Sequence, residues 1–160
     1  MDSTTSRRPS VRLDRDEAWA TVAASHTGIF TSLRRDGMPI TLPVWFVAFD
    51  HAVYMVTPAG TKKVARVRHD GRASFLVESG ERWAELRAVM LTGRAEIVAG
   101  DDELAARVRE AMNAKYASYR TAPLDMPEAT RRHYGASGAL IRFVPDDRIL
   151  SWDNACLDLT

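Results

Sequence analysis

Met38-Pro-Ile-Thr-Leu-Pro-Val-Trp-Phe-Val-Ala48 carries an apolar side chain at every even position, while its odd positions are mixed. A repeat of two marks an extended strand with one face turned inward, because successive side chains leave a strand on opposite sides. Met38, Ile40, Leu42, Val44, Phe46 and Ala48 are therefore expected inside. Pro43 has no N–H to give to a ladder, which places this strand at a sheet edge or at a bulge. Arg35-Asp36-Gly37 immediately before it is a hairpin signal, so Ile29, Phe30 and Leu33 belong to an antiparallel neighbour. Asp50-His51 turns the chain into a further strand at Val53–Thr57.

The rest of the chain continues in this manner. Pro58-Ala59-Gly60 ends the strand, and Thr61 to His69 reads as a short helix closed by Asp70-Gly71. Ala73, Phe75 and Val77 mark one face of the next strand, and Glu78 to Glu85 a polar loop. Leu86 to Val98 is a long strand. Its charges change parity between Arg87 and Arg94, which predicts a bulge near Gly93. Two longer helices are expected. One opens on Asp14, Asp16 and Glu17 and carries Ala18, Trp19, Val22 and Ala23. The other opens on Asp101, Asp102 and Glu103, with Leu104, Val108, Ala111, Met112, Lys115 and Tyr119 on one side. Ala122 to Tyr134 is irregular or briefly helical. Ala139–Val144 is a strand, Pro145-Asp146-Asp147 a turn, and Arg148–Trp152 the last strand. Six or seven strands joined mostly by hairpins, with few flanking helices, give a mainly β (α+β) fold, a small antiparallel barrel. Residues 1–13, rich in Ser, Thr and Arg, are expected to be a disordered tail. Residues 14–155 form the domain, and 156–160 a C-terminal tail.

Composition bounds the chemistry. The 160 residues suffice for one domain with its own core. A net charge of +1 argues against a dedicated nucleic-acid binder. The single Cys156 excludes an internal disulfide framework and a multi-cysteine metal site, and the four histidines show no metal-ligand spacing. No stretch approaches the roughly 20 apolar residues of a membrane span, and Met1 to Arg12 lacks the apolar core of a secretory signal, so a cytoplasmic protein is expected. Nucleophile elbow, dinucleotide fingerprint and phosphate-binding loop motifs do not occur, leaving hydrolase and kinase readings unsupported. If the protein is an enzyme, its reactive group comes from a cofactor. The catalytic residue is unknown at this stage.

The segment Thr57 to His69 is the most informative for chemistry. A strand end, a Gly turn and a helix N-terminus meet Lys62 and Lys63, with Lys62, Arg66 and His69 on one helix face. Free N–H groups and ammonium groups together suit a phosphate or carboxylate; the alternative is a solvated basic face. Pro43-Val44-Trp45-Phe46 is a candidate platform for a flat ring, with core packing as the alternative, the better one for Phe46. Trp152 is either a packing anchor or a stacking residue.

Thr27 to Pro39, Pro43 to Phe46, Val53 to Thr57, Lys62-Lys63, His69 to Ser74, Leu86 to Val98 and Ser151-Trp152-Asp153 follow one another at spacings that resemble the pyridoxamine 5′-phosphate oxidase-like split β-barrel flavoproteins. The chain looks most like the actinobacterial branch that uses the deazaflavin coenzyme F420. The resemblance implies a six- to seven-stranded split barrel and a homodimer with two cofactor sites at the subunit interface. It also implies an oxidoreductase passing hydride from reduced F420 to a small unsaturated substrate. Alternatives are an FMN-binding oxidoreductase of the same family, a non-catalytic flavin or haem carrier, and a dimer whose groove is empty. By resemblance Thr57, Lys62 and Lys63 hold the cofactor phosphate, with Arg66 adding positive charge. Pro43, Val44, Trp45 and Phe46 run along the ring, and Trp152 approaches from the other chain. The family's oxidases proper end in an Arg-rich motif that grips the substrate phosphate. Here no Arg follows Arg148, which argues against that particular activity.

Overall fold

In a computed structural model, residues 10–135 and 138–157 are described. The expected tails at 1–9 and 158–160 lie outside them. Seven antiparallel strands form one curled sheet, an open half-barrel, in the order β2-β1-β5-β6-β7-β4-β3. In chain order the elements are α1 (Arg15–Ala24), β1 (Gly28–Leu33), β2 (Pro39–Val44), β3 (Val47–Phe49), β4 (Ala52–Pro58), α2 (Lys62–His69), β5 (Arg72–Ser79), β6 (Arg87–Val98), α3 (Asp102–Tyr116), α4 (Glu128–Gly135) and β7 (Gly138–Asp153). No helix among the described residues is long and apolar enough to cross a membrane.

The concave face holds the main core, where Phe30, Phe46, Phe75, Leu91, Ile141 and Phe143 interdigitate. Trp19 and Val22 of α1 and Val67 of α2 join it. A second cluster lies between the sheet and α3, from Val47, Tyr54 and Leu140 on one side and Val108, Met112 and Tyr116 on the other. The buried stripe of α3 thus ends on Tyr116, not on Lys115 and Tyr119 as the sequence suggested; Tyr119 is exposed. Asp14 caps α1 in a reciprocal box with Glu17, as its acidic opening implies. Just before α1 the Val11 carbonyl accepts from Asp153 N–H at 2.7 Å, and Leu13 packs on the core.

The β1–β2 hairpin forms where expected, with Gly37 at φ 82° in the left-handed region that favours glycine. Beyond it the long even-faced strand is corrected. The chain leaves the sheet after Val44, crosses through Trp45 and Phe46, and re-enters as β3 at the opposite edge. Val44 and Phe46 are buried, but Met38 and Leu42 are exposed, because β2 is an edge strand whose inner face overhangs the curl. Pro39 and Pro43 both sit on this edge. Arg34 N–H donates to the Met38 carbonyl, so even positions of β2 face the β1 ladder and odd positions face outward.

A second correction concerns the C-terminal strand. Pro145-Asp146-Asp147 is no turn; β7 runs unbroken from Gly138 to Asp153. Leu91 pairs with Ile149 and Gly93 with Pro145, so Thr92 alone is opposed by Asp146-Asp147-Arg148. The bulge expected near Gly93 exists, but the extra residues are on β7. Thr92 Oγ1 donates to Asp146 Oδ2 at 3.1 Å and fixes it. Gly93 is required there for space: a Cβ would lie 2.2 Å from the Val144 carbonyl oxygen. We expect Gly93→Ala to cost about 1–3 kcal/mol, measured as a lower urea midpoint at unchanged slope. An unchanged midpoint would show that the bulge has room to relax.

Candidate functional site

Thr57 closes β4 on the concave side and is buried. After Pro58, Thr61 caps α2 through its hydroxyl, which accepts from Val64 N–H at 3.5 Å. That cap leaves the N–H groups of Lys62 and Lys63 without intrahelical acceptors at the positive end of the helix. Val64 and Val67 are buried beneath, as the periodicity requires, so the orientation of α2 is set by packing. Lys62 is exposed. Lys63 is half-buried, and burial together with the adjacent Arg66 guanidinium pulls its ammonium below the usual lysine pKa. Arg66 is itself tethered: its Nε donates at 2.9 Å to Ser32 Oγ on β1.

Arg34, Arg72, Arg87, Arg107 and Arg142 each pair with a carboxylate. Among the described residues, Lys62, Lys63 and Arg66 pair with none. Arg35, Arg68 and Arg94 also form no ion pair among the described residues, but they are exposed, whereas Lys63 and Arg66 are half-buried. Bringing like charges together in a partly desolvated place is unfavourable unless an anion completes it.

Of the expected ring platform, Val44 and Phe46 are core. Phe46 packs edge-on against Phe75 with centroids 4.7 Å apart. Trp45 is 38% exposed and stacks on Tyr116 at 4.4 Å with the rings 5° from parallel. The Tyr116 hydroxyl accepts from Phe46 N–H at 2.9 Å and lies 2.7 Å from the His26 carbonyl and 2.9 Å from that of Phe46. Burial pushes the Tyr116 phenol above its usual value, which keeps its proton in place for those carbonyls. Both backbone groups of Phe46 are thus engaged by Tyr116. The carbonyls of Pro39, Thr41 and Pro43 face the free edge.

The structure therefore holds Lys63 and Arg66 close together on α2, with Lys62 at its first turn and Thr57 buried four residues before its cap, and sets Trp45 at the β2–β3 crossing. Trp152 is not with them. It lies near the far end of β7 from Ala139, the residue paired with Thr57, and is 39% exposed on the convex face. Ser32 and Tyr116 were missed from sequence. Ser32 had one visible signal, a lone hydroxyl at the inward parity of β1 beside Phe30. Tyr116 had only its place four residues after Met112.

A family model described as Pyridoxamine 5′-phosphate oxidase matches residues 15–139. Among solved structures, conserved hypothetical protein Rv2991 from Mycobacterium tuberculosis is 29% identical, with a TM-score of 0.78 over 98% of this chain and 94% of that one. An FAD-binding protein from Mycobacterium smegmatis (18% identical, TM-score 0.61, 87% of this chain and 95% of that one) shares the fold. So does the haem storage protein HutZ from Vibrio cholerae (13% identical, TM-score 0.66, 86% and 94%). No curated protein matches the chain.

Tyr116→Phe removes the hydroxyl and leaves the Phe46 N–H buried without a partner. We expect a loss of about 1–3 kcal/mol, read from urea denaturation. A loss below about 0.5 kcal/mol, within the range of an ordinary surface substitution, would show that the crossing does not depend on this bond.

Proposed function

The chain belongs to the pyridoxamine 5′-phosphate oxidase family, and from that premise we propose that it is an oxidoreductase holding a flavin-type cofactor, with the deazaflavin F420 preferred and FMN the alternative. The half-buried, unneutralised cations Lys63 and Arg66, on the helix that follows buried Thr57, carry this reading. Thr57, Lys62, Lys63 and Arg66 would hold the cofactor's phosphate. The donors there fit such a group: helix N–H groups, ammonium groups and a tethered guanidinium all give hydrogen bonds to anionic oxygens. The carbonyls on the free side of β2, from Pro43 and its odd-numbered neighbours, can accept from the ring's N–H edge, beside the exposed part of Trp45. Likeness in fold to an FAD-binding protein agrees with a flavin-type ligand.

Two features favour the deazaflavin. Its acidic tail would meet Arg68 and Arg94, which have no ion pair of their own among the described residues, in a groove of about 760 Å3 along the second half of α2, whose carboxylates Asp70 and Glu96 are taken up by Arg72 and Arg142. The relative at 29% identity is mycobacterial, as the actinobacterial reading requires. When bound and reduced, the deazaflavin supplies a hydride to a small unsaturated, electron-poor substrate. This chain's part is to orient, to exclude water and to stabilise developing charge. We assign no catalytic side chain.

We further propose a homodimer with the cofactor sites at the subunit interface. Pro43, Ile29, Leu76, Met90 and Leu150 are in cross-strand register and form an apolar row on the convex face, with Trp152 one row away. A row of this kind is more readily understood as a contact with a second copy than as free surface. That arrangement would let the Trp152 of a second copy reach a site that its own chain's Trp152 does not. A reducing cytoplasm suits the one free cysteine, exposed Cys156.

Fluorescence titration of the purified chain with F420 and with FMN tests the assignment. Micromolar F420 binding with weak FMN binding supports the lead; the reverse preference transfers it to FMN. Tight binding of either without hydride transfer to any electron-poor acceptor favours a carrier. Lys63→Ala is expected to weaken binding by about 1.5–3 kcal/mol; an unchanged dissociation constant in a folded variant refutes the phosphate assignment. Light scattering at micromolar concentration should give the mass of a dimer, and a monomer would contradict the shared site.

A further inference from the structure

Ser32, Thr57 and Asp153 are the buried polar side chains among the described residues. Ser32 is 1% exposed on the concave face of β1. Phe30 precedes it on that face, and Ile40 and Ala73 flank it across the neighbouring strands. An alanine would fit this wall more cheaply, because a buried hydroxyl loses its water and must recover a hydrogen bond. The one partner the Ser32 hydroxyl has among the described residues is Arg66, whose Nε donates to it at 2.9 Å across the gap between α2 and β1. That bond uses one nitrogen of the guanidinium. Its two Nη groups make no hydrogen bond or ion pair among the described residues, and Lys63 stands one helical turn before it.

We propose that Ser32 is a positioning residue for the anion site: its buried hydroxyl anchors Arg66 through Nε so that both Nη groups are left to share an anionic ligand with Lys63. The inference rests on reading Lys63 as the centre of that site. It deepens that reading by giving Arg66 a fixed orientation and a ligand class, a phosphate or phosphodiester that can take two donors from one planar group. An untethered arginine would lose side-chain entropy on binding, and the Ser32 bond removes part of that loss beforehand. The like charge of Arg66 is one cause of the lowered pKa of Lys63, consistent with two cations held close together.

A bond that merely fastens α2 to β1 would have a different signature. Titrating the full-length chain with FMN against riboflavin isolates the phosphate, and F420 against its phosphate-free deazaflavin nucleoside removes the phosphate together with the acidic tail. Ser32→Ala should weaken the phosphorylated member roughly three- to tenfold, the scale of a hydrogen bond's net contribution, and leave the phosphate-free member within about twofold. Combined with Arg66→Gln, it should add nothing to the loss that Arg66→Gln causes alone. Equal weakening within each pair, full additivity, or wild-type affinity in Ser32→Ala overturns the proposal. Should Ser32→Ala fold poorly, Arg66→Lys gives the same test, since it keeps the charge but cannot both bond Ser32 and present a fork. Lys63→Ala, measured alongside, separates the two claims. If it weakens binding while Ser32→Ala does not, the anion site stands and the role of Ser32 falls. If Lys63→Ala changes nothing, or the wild-type chain binds no phosphorylated ligand, both fall.

Discussion

The sheet has two free edges, and they are consecutive in the chain. β2 and β3 lie at opposite ends of the strand order, and only Trp45 and Phe46 join them. A link so short forces the sheet to curl until its edges approach, because two residues span only about 7 Å. The Tyr116 hydroxyl makes that link tolerable. It meets the Phe46 N–H and the carbonyls of Phe46 and His26 at the place where the backbone has left the ladder. The same phenol ring lies flat against Trp45, and the Lys115 ammonium sits 3.9 Å above the Phe46 ring, where burial lowers its pKa to about 8. One end of α3 thus closes the half-barrel, and the curvature it enforces gives the concave face its depth.

The cation cluster follows from that curvature. α2 can bury Val64 and Val67 only by lying against the curled sheet, and doing so carries Lys63 and Arg66 toward β1. The energetics of the cluster differ from those of the paired arginines elsewhere. An exposed pair such as Arg34–Asp36 is satisfied within the chain and adds little to stability. Lys63 and Arg66 are held together by packing and by Ser32, with their mutual repulsion left in place. An anion bound there, as proposed, would gain from charges already assembled, the folding of the domain having met the cost of assembling them.

The parts legible in the sequence were those decided locally. The Arg35-Asp36-Gly37 hairpin, the Asp14 cap and the Thr61–His69 helix with its two buried valines each depend on residues within a few positions of one another. The errors came where distant residues decide. Pro145-Asp146-Asp147 has the composition of a turn, but the bulge opposite Thr92 and the space beside Gly93 absorb it into one strand. Leu42 has the parity of a core residue and the position of an edge residue, and strand order is not written in periodicity. Tyr116 and Ser32 act on partners 70 and 34 positions away, so nothing beside them in the chain announces their roles.

The outward side of β2 has a consequence for how the protein meets other chains. Positions 39, 41 and 43 face away from β1, and two of them are proline. Along that border the backbone presents acceptors at all three places but an N–H only at Thr41. A foreign strand laid against it would leave most of its own carbonyls without a donor. The open barrel can thus keep a long bare margin without becoming a seed for fibril-like stacking, and whatever docks there must do so through side chains or a ligand's own N–H groups.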